Sequence, residues 1–162
     1  MFKHKKIQIN SSLTELYKIE EFVESISDVF NINNNYYSTI LISLDEAVRN
    51  AIEHGNKFDE NKKVEISFVS TKGELIFSVK DEGKGFNLTD IPDPTNPKLD
   101  DNQEVGKGLF LMAQLSDDLK INDEGNRISL YFKVSSINKE LAIKRVSALK
   151  SFFQEHKHRV KA

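Results

Sequence analysis

The chain has 162 residues, 38% hydrophobic and 30% charged, with a formal net charge of -2 and no cysteine. That length suits one compact domain with a core that needs no staples. Absence of cysteine excludes a disulfide framework, a thiolate metal site and a thiol nucleophile, and near-neutrality argues against a global field for nucleic acid or an anionic membrane.

The N-terminus, Met1-Phe2-Lys3-His4-Lys5-Lys6, is basic, but Ile7-Gln8-Ile9-Asn10 follows, an alternating strand and not the apolar core of a signal peptide. No apolar run approaches membrane-spanning length, so a cytoplasmic protein with no membrane contact and no direct nucleic-acid contact is expected. Lys5 to Ile9 reads as the first strand. Ser12-Leu13-Thr14-Glu15 matches a capping box. Leu13, Leu16, Ile19, Val23, Ile26 and Phe30 then recur at helical spacing, predicting a helix from about Leu13 to Phe30. Ile40, Leu41, Leu44, Val48 and Ile52 predict a second, from about Tyr36 to His54, with Gly55 as its C-terminal cap.

The period then switches to two. Val64, Ile66 and Phe68 alternate with polar residues, Thr71-Lys72-Gly73-Glu74 turns the chain, and Leu75 to Val79 returns it. From Glu82 to Val105 there is no periodicity, and Pro92, Pro94 and Pro97 all fall there; loops of this length are functional or disordered. Leu109, Leu111, Met112 and Leu115 mark a third helix, opening at Gly106-Lys107-Gly108. Asp118 to Ile121 and Ile128 to Val134 form a second hairpin about Glu124-Gly125-Asn126, and a last helix carries Leu141, Ala142, Val146, Leu149 and Phe153. The order predicts an α/β (α+β two-layer) sandwich, a mixed, mostly antiparallel sheet with helices on one face.

Three segments carry chemistry. In Asp45-Glu46-Ala47-Val48-Arg49-Asn50, Glu46 and Asn50 are four apart and share a helix face. A carboxylate there can orient or deprotonate a hydroxyl, and an amide oxygen is a hard ligand suited to magnesium; the pair alone reads equally as a solvated helix face. Asp81-Glu82-Gly83-Lys84-Gly85 ends a strand, with two glycines that let a flat or anionic ligand approach the backbone, or that simply turn the chain. Gly106-Lys107-Gly108-Leu109 opens a helix, where free N–H groups favour phosphate, or it is a flexible loop end. A P-loop is excluded, because Asp101 stands where its first glycine belongs and Gly108 follows Lys107. A dinucleotide fingerprint is excluded by Leu88 and Leu111 at its third-glycine positions.

Taken together and in order, the three segments resemble the GHKL (Bergerat-fold) ATPase and kinase family. That family has a helix with Glu and Asn four apart, a strand ending in Asp-x-Gly-x-Gly, a lid, then Gly-x-Gly at a helix start. Lacking a transducer domain or a dimerisation helix pair, residues 1–134 look like the ATP-binding domain of the anti-sigma-factor type of serine/threonine protein kinase. Residues 135–162 form a basic helical extension beyond it. The resemblance implies ATP and Mg2+, Glu46 as general base, and Asn50 as metal ligand. It implies Asp81 on the adenine amino group, Gly83 and Gly85 beneath the base and ribose, and His54 as a wall. Gly106, Lys107, Gly108 and Leu109 would cradle the phosphates. It also implies an anti-sigma-antagonist-like substrate, a sigma-like factor to sequester, and a homodimer. The alternative is a nucleotide-dependent binding switch without phosphotransfer. Two positions depart from the family: Arg49 stands where these kinases often carry Thr or Ser, and Asn126 where many carry Thr.

Overall fold

The computed structural model describes residues 3–85, 104–133 and 139–155. The proline-bearing segment 86–103, Val134 and the tail from His156 lie outside the described residues, as do the side chains of Leu141 and Ala142. The elements are β1 (His4–Asn10), a 3-10 turn (Leu13–Glu15), α1 (Tyr17–Phe30), α2 (Asn34–Asn50), a π-helical turn (Ala51–Gly55), β2 (Lys63–Ser70), β3 (Glu74–Lys80), α3 (Glu104–Leu115), β4 (Asp118–Ile121), β5 (Arg127–Lys133) and α4 (Lys139–Glu155). One five-stranded sheet has the order β1-β2-β3-β5-β4. The two-layer α+β class matches the expectation. The parallel component of a mixed sheet is missing among the described strands, because all four pairings are antiparallel.

Alternation puts one side of every long strand inward. Val64, Ile66 and Phe68 of β2 are fully buried, with Phe77 of β3 and Leu130 and Phe132 of β5. The rings of Phe68, Phe77 and Phe132 step across three strands, with centroids 5.1 Å and 6.0 Å apart in turn. Ile19, Val23 and Ile26 of α1 and Ile40, Leu44 and Val48 of α2 cover them, each also 0% exposed. Each such side chain contributes about 1.5–3 kcal/mol by leaving water.

Three local expectations change in the folded chain. Ser12 does cap the 3-10 turn, with its side chain accepting from Thr14 N–H, but Glu15 reaches back past it. The Glu15 carboxylate accepts from Asn10 N–H at 2.7 Å and from Asn10 Nδ2 at 2.9 Å, so the box closes on the end of β1. The predicted first helix therefore starts as a 3-10 turn and becomes α-helical only at Tyr17. Gly55 is no left-handed cap, since Lys57 and Phe58 just beyond it take the positive φ values, 53° and 60°. Finally, α3 begins at Glu104, so Gly106 and Gly108 lie inside its first turns. Packing of α3 overrides the roughly 1 kcal/mol that each glycine costs a helix.

α4 is anchored by charge near its middle and by rings near its C-terminal end. The Arg145 guanidinium donates to the Asp117 carboxylate, and both side chains are more than nine-tenths buried. Asp117 also accepts from Lys133 N–H at 2.7 Å and from the Tyr36 hydroxyl at 3.3 Å. At the far end Phe152 lies 6.2 Å from Phe110 of α3, centroid to centroid.

Candidate functional site

α2 does not end at Asn50; it widens. The Ala51 N–H is shared by the carbonyls of Ala47 and Val48, and Asn56 N–H reaches the Ala51 carbonyl at 2.8 Å, five residues back. Such π turns rotate the helix face and are frequent at functional sites. Here the turn brings Gly55 against β3. A Cβ on Gly55 would stand 2.3 Å from Asp81 Cγ, and one on Gly83 would stand 2.2 Å from the Gly55 carbonyl oxygen. Only hydrogen fits at either place, which is why this sequence has glycine there.

Asp81 is buried at the end of β3. Its N–H donates to the Asn126 carbonyl at 2.9 Å, and its Oδ1 accepts from Gly83 N–H at 2.7 Å. Burial pushes its carboxyl above its ordinary value, partly offset by the Gly83 N–H and the positive charge of Lys62. Gly85 has φ +80° and packs against the β4–β5 turn, where a Cβ would meet the Glu124 carbonyl oxygen at 1.7 Å. Its glycine is thus demanded by the chain itself.

The first and third motifs meet at α3. A Cβ on Gly108 would lie 3.1 Å from both Glu46 Oε2 and Asn50 Nδ2, so the bare backbone lets α3 close on α2. By position the unpaired N–H groups of α3 belong to residues 104–107, which include Gly106 and Lys107; Gly108 serves the close approach instead. Leu109 is buried in the hydrophobic core, so its side chain serves packing. A cleft of about 840 Å3 opens here, and Glu46, Arg49, Asn50, His54, Lys107 and Gly108 are among its walls. His54 is exposed, with Nε2 3.9 Å from Glu53. Arg49 Nε donates to Asp45 at 2.7 Å; burial works against its charge, and the carboxylates of Asp45, Glu46 and Glu53 outweigh that.

Among the described residues three buried side-chain polar atoms have no hydrogen-bond partner: Ser27 Oγ on α1, Asn50 Nδ2 and Lys107 Nζ. The last two are both in this cleft. A buried unpaired amide and ammonium cost free energy that an anionic, oxygen-rich ligand recovers. No group of three acidic or histidine side chains among the described residues can hold a metal by itself. One amide and one carboxylate fit a Mg2+ that takes most of its ligands from phosphates and water. Asp81, Gly83 and Gly85 are not in the cleft wall; they form a second cluster joined to it through the π turn.

Asn56 was not among the expected site residues. It is buried, donates to Ser11 Oγ at 2.7 Å and the Lys63 carbonyl at 3.0 Å, and accepts from Glu82 N–H at 2.8 Å. It thereby holds the loop after Asp81. Two of its partners lie 45 and 26 residues away, and the only hint in the sequence is a polar side chain directly after Gly55.

The family model described as histidine kinase-like ATPase domain matches residues 9–132. The chain is 31% identical over 88 residues to a serine-protein kinase RsbW of Oceanobacillus iheyensis, covering 51% of this chain and 56% of that one. It is 33% identical to an anti-sigma F factor of a Geobacillus species over 60% of this chain and 68% of that one. It is 30% identical to the serine-protein kinase RsbW of Bacillus subtilis over 64% of this chain and 69% of that one. A solved structure of the RsbU and RsbW domains of a Mycobacterium tuberculosis protein superposes with TM-score 0.52 at 15% identity, over 81% of this chain and 32% of that one. The last shows the fold. The matches span from just over half to about two thirds of these curated relatives' lengths. Among the described residues no helix is long and apolar enough to cross a membrane.

Proposed function

The chain belongs to the histidine kinase-like ATPase domain family, with RsbW serine-protein kinases and anti-sigma F factors among its relatives, and from that premise we propose that it is an ATP-dependent serine/threonine protein kinase. Its acceptor is a small anti-sigma-antagonist-like protein, and it binds a sigma-like factor as the second partner. A homodimer and a cytoplasmic location go with this reading. One observation supports it: Asn50 Nδ2 and Lys107 Nζ, buried with no partner among the described residues, line one cleft with Glu46 where Gly108 lets α3 touch α2.

In this reading Asp81 accepts from the adenine amino group, in its ionised form. Gly83 and Gly85 hold the strand end flat beneath the base. Gly106 and Lys107 present N–H groups and an ammonium to the phosphates. The Asn50 oxygen and the phosphates would hold Mg2+, which supplies charge neutralisation of the transferring group when bound. Glu46 orients the acceptor hydroxyl and takes its proton as the oxygen attacks the γ-phosphorus; the bond to the β–γ bridging oxygen breaks and ADP leaves. Residues 1–134 carry all of these groups, and α4 lies in the extension that follows them.

Calorimetry with ATP and magnesium tests the site: Asn50→Ala weakens ATP by about 30-fold or more, roughly 2 kcal/mol. Glu46→Gln keeps ATP affinity within about threefold while phosphate transfer to an antagonist-type protein falls by about 100-fold or more. Equal ATP binding by the wild type and Asn50→Ala overturns the placement. Equal transfer by Glu46→Gln overturns its role.

A further inference from the structure

The cleft that holds Glu46 and Asn50 has further walls that the nucleotide reading does not use. Leu16 and Tyr17 line it from the start of α1, and Phe152 and Phe153 line it from the end of α4. Tyr17 is 58% exposed and Phe153 39% exposed, which leaves large apolar surface open beside the reacting carboxylate. Phe153 stands edge-on to Phe152, which leans on Phe110 of α3, so the wall is braced from inside the domain. Arg145, two turns earlier on α4, is locked to Asp117. The helix is thereby held with its aromatic end at the cleft.

The side chains along these walls are mostly acidic. Glu20, Asp45 and Glu53 line it together with Glu46. The one guanidinium among them, Arg49, is bonded to Asp45. The Lys107 ammonium is buried in the same cleft. A bound nucleotide would add negative charge there, so the mouth selects against an acidic visitor and for a cationic one.

We propose that Phe152 and Phe153 of α4, with Leu16 and Tyr17, form one wall of the channel for the phosphoacceptor, and that Glu20 and Glu53 make it select a serine or threonine segment bearing adjacent apolar and basic side chains. This deepens the kinase reading and rests on it. The apolar neighbour packs on Phe153 and Tyr17. The basic neighbour meets Glu20 and Glu53. Both place the hydroxyl at Glu46 before the chemical step. The extension is then a specificity element of the enzyme.

The test uses the full chain loaded with a non-hydrolysable ATP analogue and magnesium. Binding of three fluorescein-labelled serine nonapeptides is read by polarisation: one with arginine and leucine beside the serine, one with glutamate and leucine, and one with arginine and glycine. The first is expected to bind at least about tenfold more tightly than either other. Phe153→Ala should shrink the leucine-over-glycine preference to under about threefold. The pair Glu20→Gln with Glu53→Gln should do the same to the arginine-over-glutamate preference. All three substituted side chains are partly or fully exposed, and ADP affinity in these variants should match the wild type. Equal binding of the three peptides, binding of none, or preferences unmoved by the variants overturns the proposal while analogue binding persists. Failure to bind the analogue or ADP at all instead overturns the nucleotide reading, which the same titration reports separately.

Discussion

Tyr36 and Asn50 lie in the first and last turns of α2, both buried, and their polar atoms meet different fates. Around Tyr36 every group is answered: its hydroxyl donates to the Lys133 carbonyl at 3.0 Å and touches Asp117, which in turn takes Arg145 and the Lys133 N–H. At Asn50 the amide nitrogen, like the Lys107 ammonium in the same cleft, has no hydrogen-bond partner among the described residues. A closed polar network holds elements in register; an open one in a cleft waits for a ligand. One helix thus carries an architectural end, with its polar groups answered, and an open end. The π turn that follows Asn50 belongs to the second.

The sharpest way to break this contrast is at the architectural end. Arg145→Ala strands the Asp117 carboxylate in a buried position and should cost about 3 kcal/mol, a fall in Tm of roughly 6–12 °C for a chain this size. ATP affinity should stay within about threefold. Thermal unfolding and calorimetry on the same variant check both halves, and a large loss of ATP affinity would mean the two ends are not separate.

Next in size is Asp81→Asn, in the second cluster that the π turn joins to the open end of α2. It should weaken ATP by about 100-fold, roughly 2.7 kcal/mol, yet leave the unliganded chain as stable or more so. The sign follows from burial. The Asp81 carboxyl is held above its ordinary value, so the folded chain keeps its proton more readily than the unfolded one. That contribution is full below the ordinary value and is lost as pH rises through the raised one, so at neutral pH the ionised group is a burden that asparagine lacks. Asparagine still accepts from Gly83 N–H. Urea unfolding of wild type and variant between pH 3 and 8 would show the wild-type curve declining relative to the variant, on the order of the acidic carboxylate range.

The smallest effect is Tyr36→Phe, about 1 kcal/mol for one buried hydrogen bond. Burial and the nearby Asp117 charge push the Tyr36 hydroxyl up to about 12. The wild type therefore keeps this stabilisation below the ordinary tyrosine value of roughly 10 and loses it as pH rises toward 12, while Tyr36→Phe loses nothing over that window. Parallel alkaline unfolding curves for the two would remove Tyr36 from the network.

Several site features were legible before folding. Glu46 and Asn50 needed only the 3.6-residue repeat to share a face, and Asp81 needed only the end of an alternating run. Asn56 was not legible, since its hydrogen bonds go to Ser11, Lys63 and Glu82. Gly55 was visible as a glycine but for the wrong reason: a cap is a local motif, whereas its approach to Asp81 spans two elements. Glu15 fitted a local box but had a better partner in Asn10.

What the sequence by itself determined is the run of helices and strands and the order of the three motifs, because burial of one face imprints a period on neighbouring residues. The tertiary structure alone decided which groups meet. It closed Gly108 onto Glu46 and Asn50, seated Gly55 on Asp81, and set the rings of α4 beside the cleft. Those contacts join residues tens of positions apart, and no local pattern records a distance that only packing fixes.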